Sequence, residues 1–414
     1  MTAGPPEIPY SERYFVDREE QLYPIIDKVY SLLQGKPVRR RTTALYGPRG
    51  SGKSWLICKL CQLLADEFQN RVIVLYLVLG KQDVVLEENI DCLHVHPEDM
   101  ENQPDQAVRQ VLRGICERLE IGVSSDLALD TMSTHIAERY RQKNCPLVIL
   151  VDGVDEVPPA FLRQFEAYLL APLVKEPYVM VVLGGRTRDP RPRGGYTWKM
   201  PELKLYSDEY ILDPFDEGWT REQLARLEDD YQVTQIAAPE AMKAGGGYPL
   251  NNAVLAWYIE GDPPMWRDKP AALWKCAEAV LENIDERLRD HFWALCVLRA
   301  FDEDRMSPPL AVWFDGDETA WDYQRCRRIR EDMVATRLVR WRGGQGYVMD
   351  EAVREVLENT LWENNRERWR VLHQAARGLY AKWVECYPKA KSRWQPEVEY
   401  HEKRLQQEGD DGDS

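Results

Sequence analysis

Apolar positions change their spacing along the chain, and the change divides it. Residues 72–79 (VIVLYLVL), 147–151 (LVILV) and 178–183 (YVMVVL) are continuous apolar runs, the pattern of strands covered on both faces. Residues 42–46 form a shorter β-prone run. Between these runs, Leu56, Leu60, Leu63 and Leu64, and then Val108, Val111, Leu112, Ile115 and Leu119, recur at helical spacing. The alternation predicts an α/β domain over residues 14–213, with a parallel sheet and right-handed crossovers. Residues 1–13 are left as an N-terminal tail.

From Pro214 onward the continuous runs nearly vanish and helical patterns dominate. A helical domain is expected over 214–282. Across 292–349, three helical segments precede LVRWRGGQGYVM (338–349), where Gly343, Gly344 and Gly346 separate two β-prone arms. That reads as a hairpin, and three helices followed by a hairpin outline a winged helix, placed at 283–362. A helix rich in Arg and Trp should follow over 364–382, then a proline-containing break and a helix to about Leu405. Residues 363–414 are assigned to these C-terminal helices and an acidic tail, with EGDDGDS (408–414) expected to be disordered. No period of 20–50 residues recurs, which excludes a repeat array.

The apolar stripe starting at Leu56 is preceded by GPRGSGKS: Gly47, Pro48, Arg49, Gly50, Ser51, Gly52, Lys53 and Ser54. This fits G-x-x-x-x-G-K-[ST], and it sits between a strand and a helix, as a phosphate-binding loop must. Glycines let backbone N–H groups close on phosphate oxygens at a positive helix N-terminus. Lys53 is then placed to meet the β- and γ-phosphates of ATP, and the Ser54 hydroxyl to help hold Mg²⁺. A second acid-bearing element follows the run at 147–151, in Asp152, Gly153, Val154, Asp155 and Glu156. Ligands of open α/β sheets bind beyond the carboxyl ends of strands. Asp152 is therefore a candidate Mg²⁺ ligand, and Asp155 or Glu156 a candidate to polarise an attacking water. The next strand runs into GGRTRDP, where Arg186 is the candidate sensor of a γ-phosphate and Arg188 the weaker one.

Composition narrows the setting. Hydrophobic residues make up 44% and charged residues 30%, ordinary for a soluble globular protein. No apolar run approaches the roughly 20 residues needed to cross a bilayer, and the first fifteen residues lack the basic and apolar regions of a secretion signal. Nine scattered cysteines suit reduced thiols in a cytoplasm. Cys58 and Cys61 fall on the helix after the phosphate loop and read as packing residues. Cys92, His94 and His96 alternate on a possible strand, which is read as a strand with incidental polar residues rather than a metal site. The net charge of −15 argues against a broad nucleic-acid-coating role, since such binding neutralises phosphates. The basic VRRR at 38–41 is expected to be a solvated edge.

These motifs together resemble the STAND class of signalling NTPases, especially its NACHT-like branch. The resemblance rests on YFVDREEQL (14–22), the phosphate loop, LVILVDGVDEV (147–157), VVLGGRTRD (181–189), GGGYPLNNAVLAWY (245–258) and the winged-helix outline, in that order. It runs over roughly residues 14–361. It implies that Arg18 helps hold ADP, that Val16 lies near the base, and that Gly247 and Pro249 form the Gly-x-Pro element whose proline packs by the adenine. Proline's fixed ring suits that contact. Relatives carry a histidine at the end of the hairpin that contacts the β-phosphate of ADP. Here Met349 stands there, and methionine cannot donate a hydrogen bond.

The resemblance further implies a slow ATPase that couples nucleotide state to domain opening and oligomerisation. The sequence leaves little room for the usual effector before the NTPase domain or for a long sensor after it. RERWRVLHQAARGLYAKW (366–383) resembles only the helix with which such sensors begin. Sensor and effector proteins acting in trans are therefore the expected partners, with no membrane role. The rival expectation is an initiator-like AAA+ ATPase that handles DNA through its winged helix. Arg327, Arg328, Arg330, Arg340 and Arg342 favour it, while Glu331, Asp332, Asp350, Glu351 and the overall charge oppose it.

Overall fold

The computed structural model describes residues 10–47, 50–79, 92–95, 103–122, 124, 127–143, 145–154, 157–185, 198, 200–231, 237–256, 258–260, 265–281, 284–336, 338–343 and 345–410. The chain separates into two compact units, one holding the described residues up to Pro214 and the other those from Phe215 onward.

The first unit is a P-loop NTPase fold built on a six-stranded parallel sheet. Its strands are β1 (Thr42–Tyr46), β2 (Ile73–Leu79), β3 (Cys92–Val95), β4 (Leu147–Asp152), β5 (Val179–Gly185) and β6 (Ser207–Ile211), in the order β3-β2-β4-β5-β1-β6. Helix α1 (Glu19–Leu33) and helix α2 (Lys53–Phe68) supply one layer. Helices α3 (Pro104–Arg118), α4 (Leu129–Lys143) and α5 (Pro159–Phe165) supply the other. The α5 path continues through a π-helical turn, Glu166–Leu170, into α6 (Ala171–Val174).

The continuous apolar runs serve both layers because successive strand residues point to opposite faces. Along β4, Leu147, Ile149 and Val151 join the core with α3, α4 and α5, whereas Val148 and Leu150 join the core with α1 and α2. The expected strands are found within two residues of their positions. β6 was not foreseen, because SDEYI carries only two large apolar residues and lies at a half-exposed sheet edge. The VRRR segment departs from expectation in part. Arg41 is only 8% exposed and donates to the Glu176 carbonyl, because it leads into a strand covered by β5 and β6. Arg40 pairs with Asp208 at 2.7 Å.

After α7 (Pro201–Leu205), which belongs to the first unit, the second unit is mainly helical. It opens with α8 (Glu217–Tyr231), α9 (Ala238–Gly245) and α10 (Pro249–Ala256). The short pair β7 (Ile259–Glu260) and β8 (Met265–Trp266) leads to α11 (Lys269–Leu281). Three helices follow: α12 (Glu286–Leu295), α13 (Glu303–Trp313) and α14 (Tyr323–Ala335). Asp285, Asp302 and Asp322 cap their N-termini by accepting backbone N–H bonds.

The antiparallel hairpin β9 (Val339–Arg342) and β10 (Gly346–Met349) comes next, and Phe301 extends it by exchanging two backbone bonds with Tyr347. Then come α15 (Glu351–Asn364), α16 (Arg366–Cys386) and α17 (Lys391–Asp410). α17 is helical to Asp410, past Leu405 and into the stretch expected to be disordered. α16 and α17 meet through His373 and His401 and through Arg377 and Glu402. Among the described residues no helix is long and apolar enough to cross a membrane.

Candidate nucleotide site

The phosphate loop leaves β1 and enters α2. Gly50 and Gly52 adopt φ of 79° and 90°, the left-handed region that a side chain disfavours. Gly47 is crowded differently. A Cβ there would stand 2.8 Å from Ser51 Oγ and 3.0 Å from the Leu212 carbonyl oxygen. Lys53 begins α2 and turns its ammonium to the Gly47 carbonyl at 2.9 Å, with Ser51 Oγ at 3.4 Å. Ser54 follows on the first turn, half-buried. Pro48 and Arg49 lie outside the described residues.

Asp152 closes β4 and is 1% exposed, its Oδ1 accepting from the Gly153 N–H at 2.9 Å. β5 runs between β4 and β1, so its end lies between Asp152 and the phosphate loop. Two glycines occupy that end. A Cβ on Gly184 would stand 2.7 Å from Ile57 Cδ1, 3.1 Å from Asp152 Oδ1 and 3.8 Å from Lys53 Cβ. Gly184 thus brings Lys53 and Asp152 to a common space. Its signal in the sequence is a glycine pair ending an otherwise bulky strand, two residues before the candidate Arg186. Asp155, Glu156, Arg186 and Arg188 lie outside the described residues.

Behind Asp152, the Tyr76 hydroxyl and the Cys58 thiol lie 3.6 Å apart. Burial pushes both groups up from their ordinary pKa, and the neighbouring Asp152 carboxylate adds to the effect. Both stay protonated at neutral pH, and Cys58 acts as a packing residue, as expected. On β3, Cys92 Sγ and His94 Nε2 lie 3.0 Å apart; His96 is outside the described residues. Among the described residues no group of three His, Cys, Asp or Glu side chains could hold a metal ion.

Arg18 and Val16 are both buried, 5% and 4% exposed. Arg18 Nη2 donates to the Ser51 carbonyl at 3.0 Å and to the Asp213 carbonyl at 2.8 Å. Burial lowers its pKa, opposed by Asp17 and Asp213. The geometry therefore sets this guanidinium against backbone carbonyls of the phosphate loop and of the segment leaving β6.

The second unit holds the other two named residues. Gly246 and Gly247 adopt φ of 66° and 75°, and buried Pro249 starts α10. The Gly247 carbonyl accepts from Phe215 N at 2.9 Å, and a Cβ on Gly247 would collide with the Phe215 carbonyl oxygen. The second and third residues after the proline also hold this turn. Asn251 donates to the Gly245 carbonyl at 3.0 Å, while Asn252 donates to Gln223 at 3.1 Å. Gln223 in turn donates to the Pro249 carbonyl. Buried amides bonded this way fix a turn that glycines alone would leave loose.

The donor set suits a nucleoside triphosphate with Mg²⁺. A left-handed glycine loop, an ammonium at a helix start and a buried carboxylate at a strand end are the groups that polyphosphate and its cation require.

Comparison with known proteins agrees at the level of the domain. Residues 38–186 match a family described as an AAA domain. A Walker-type ATPase of Pyrococcus abyssi superposes with a TM-score of 0.52 at 14% identity, over 85% of this chain and 98% of that one. Cdc6p of Pyrobaculum aerophilum matches with a TM-score of 0.44 at 12% identity, over 86% and 96% of the two chains. ORC1 of Aeropyrum pernix, solved in complex with DNA, matches at 0.42 and 14%, over 84% and 93%. At such identities the likeness concerns the fold alone. Sheet order, loop geometry and the match over residues 38–186 agree on a P-loop NTPase fold for the first unit, one similar to AAA domains.

Proposed function

We propose that the chain is a nucleotide-dependent switch of the STAND type, a slow Mg²⁺-dependent ATPase whose bound nucleotide decides which surface it presents to partners. The observation that carries this reading is the Gly247 turn. Its carbonyl accepts from the N–H of Phe215, the first residue of the second unit, so the Gly-x-Pro element is bonded to the residue with which that unit begins. A nucleotide shifts a conformational equilibrium only by binding one arrangement better than the other. A tied turn beside the chain's passage between units is where such a difference can be expressed.

In this reading the loop from Gly47 through Ser54, including Pro48 and Arg49, holds the phosphates, with Lys53 supplying positive charge. Ser54 and Asp152 hold Mg²⁺, which neutralises phosphate charge when bound. Asp155 and Glu156 polarise water, and Arg186 reports the γ-phosphate. Val16 and Pro249 flank the base. The helical domain spans 214–282 and the winged helix 283–362, with α12 to α14 and the β9–β10 hairpin as its body. Met349, 3% exposed, leaves the ADP state without a histidine bond, so that state opens more readily. Sensor and effector act in trans, in the cytoplasm.

Light scattering coupled to size-exclusion chromatography tests the switch. We expect a monomer with ADP and a larger species with a non-hydrolysable ATP analogue. Identical mass and radius in the apo, ADP and analogue forms, with and without a partner, would leave a structural nucleotide-binding scaffold as the better account.

A second reading, an initiator-like ATPase that touches DNA, is favoured by one observation. Arg328, Arg340 and Arg342 on α14 and β9 form no ion pair among the described residues, whereas Arg327 pairs with Glu331 and Arg330 with Glu303. Fluorescence anisotropy with duplex DNA at about 150 mM salt separates the two. Non-specific binding lies at roughly 10⁻⁴–10⁻⁶ M; a nanomolar complex with a steep salt dependence would establish the second reading over the first.

A further inference from the structure

Arg18 is placed where no nearby sequence feature requires it. Asp17 and Arg18 adopt φ of 61° and 77°, a conformation that residues with side chains rarely take in succession. The turn sends the Arg18 side chain into the protein, where it is 5% exposed. Its Asp17 neighbour is 4.0 Å away, at the limit of an ion pair. A cation buried on these terms is retained where its hydrogen bonds are strong. Those bonds go to two backbone carbonyls far apart in sequence, Ser51 at 3.0 Å and Asp213 at 2.8 Å.

Both carbonyls sit at informative places. The Ser51 carbonyl shares its peptide with the Gly52 N–H, and a charged donor on the carbonyl polarises that N–H toward any anion in the loop. Asp213 is followed by Pro214, whose nitrogen carries no proton. Phe215 comes next, its N–H given to Gly247. The segment leaving β6 is thus held at Asp213 by the residue that also holds the phosphate loop. The loop and this segment touch elsewhere too, since a Cβ on Gly47 would meet the Leu212 carbonyl at 3.0 Å.

We infer that Arg18 is a positioning residue that makes the linker 213–215 respond to occupancy of the phosphate loop. The inference rests on the nucleotide-switch reading above and adds the route by which the loop's state leaves the NTPase domain. When phosphates draw the Gly52 N–H toward them, the Ser51 carbonyl turns with it, and Nη2, which donates to both carbonyls, must share its N–H groups differently between Ser51 and Asp213.

The test uses the full chain and two variants, Arg18→Gln and Arg18→Lys. Hydrogen exchange is followed by mass spectrometry on peptides containing Phe215, in the apo, ADP-bound and ATP-analogue-bound states. Nucleotide affinity is measured in parallel with a fluorescent ATP analogue. In the wild type, exchange at Phe215 should differ severalfold between nucleotide states. Arg18→Gln, held at nucleotide concentrations that saturate it, should show the same exchange in every state. Arg18→Lys, whose rotating ammonium lacks the fixed planar geometry with which Nη2 meets both carbonyls, should show less than half of the wild-type response. It carries the test alone if Arg18→Gln does not fold. A wild-type response in either folded variant overturns the inference and leaves the switch reading intact. A folded Arg18→Gln that no longer binds nucleotide overturns it too, since the guanidinium would then act on the ligand. If the wild type binds nucleotide but its linker exchange never changes, the switch reading fails together with the inference.

Discussion

The Lys53 ammonium donates a 2.9 Å hydrogen bond to the carbonyl of Gly47, six residues earlier at the other end of the phosphate loop. The lysine is therefore already folded over the loop that a polyphosphate would enter. A charge-assisted hydrogen bond contributes about 1.5–3 kcal/mol. Lys53→Ala should weaken ATP affinity by at least about tenfold on that basis. Titration calorimetry measures it, and an unchanged affinity would remove the loop from the nucleotide site.

Gly184→Ala addresses the space shared by Lys53 and Asp152. The added methyl would stand 2.7 Å from Ile57 Cδ1, the end of a fully buried side chain that must shift to make room. Overpacking of this kind costs about 1–3 kcal/mol. The expected outcome is a modest loss of stability in urea with a much larger loss of ATP hydrolysis, because α2 carries Lys53 and Ser54. Wild-type turnover in the variant would show that the end of β5 plays no part in the chemistry.

Gly346 makes a prediction about the hairpin alone. It holds φ of 108°, and a Cβ would stand 2.7 Å from the Phe301 carbonyl oxygen and against the Arg305 guanidinium. Arg305 is committed there, donating to Gln345 O and to Asp302, both at 2.7 Å. Forcing a side chain into such a conformation costs about 1–3 kcal/mol. Gly346→Ala should lower the denaturation midpoint of the second unit, followed by the fluorescence of Trp341, which packs edge-on to Tyr347. The ATP affinity should stay as in wild type.

A fourth prediction concerns acid. His373 and His401 are fully buried between α16 and α17, their Nδ1 atoms 2.9 Å apart. Burial lowers the pKa of both; Glu358 opposes this, and His373 further depresses His401. Glu358 faces them with Arg354, Arg404 and Tyr400 around it. Burial alone would raise its carboxyl, but His373, 3.4 Å away, and the charges of Arg404 and Arg354 bring it to about 2.

The signs follow from linkage. A histidine with a depressed folded pKa binds its proton more readily when unfolded, so stability is full above 6.5 and falls as pH drops below it. The limiting slope is about 1.4 kcal/mol per pH unit for each histidine. Glu358 adds stability that is present above 4.5 and lost as pH falls toward 2. Thermal melts between pH 7.5 and 5 should therefore show destabilisation of the second unit, and His401→Gln should flatten that dependence. A melting temperature independent of pH over this range would contradict the buried neutral pair.

Local patterns made much of this legible. The phosphate loop could be read because strand, loop and helix are contiguous and each uses residues suited to its own backbone. The sheet strands could be read because burial on both faces demands unbroken apolar runs. β6 escaped because an edge strand buries little, and SDEYI states its pairing with β1 nowhere in its own composition. Arg18 was legible as a residue of interest, but not its direction. Asn251 and Asn252 looked like ordinary polar residues after a proline, and only the packed turn shows them bonded to Gly245, Thr220 and Gln223.

By itself, the sequence determined that this chain carries a parallel α/β domain with a phosphate loop, followed by helices and a hairpin. Those features depend on φ preferences, hydrophobic period and motif spacing, all of which act over a few residues. Tertiary structure alone decided that β5 separates Asp152 from the loop and that its terminal glycines open the space between them. It also decided that Arg18 reaches carbonyls 33 and 195 residues away, and that two histidines 28 residues apart meet in the interior. Such contacts are selected by how whole layers pack, and no short stretch of chain carries that information.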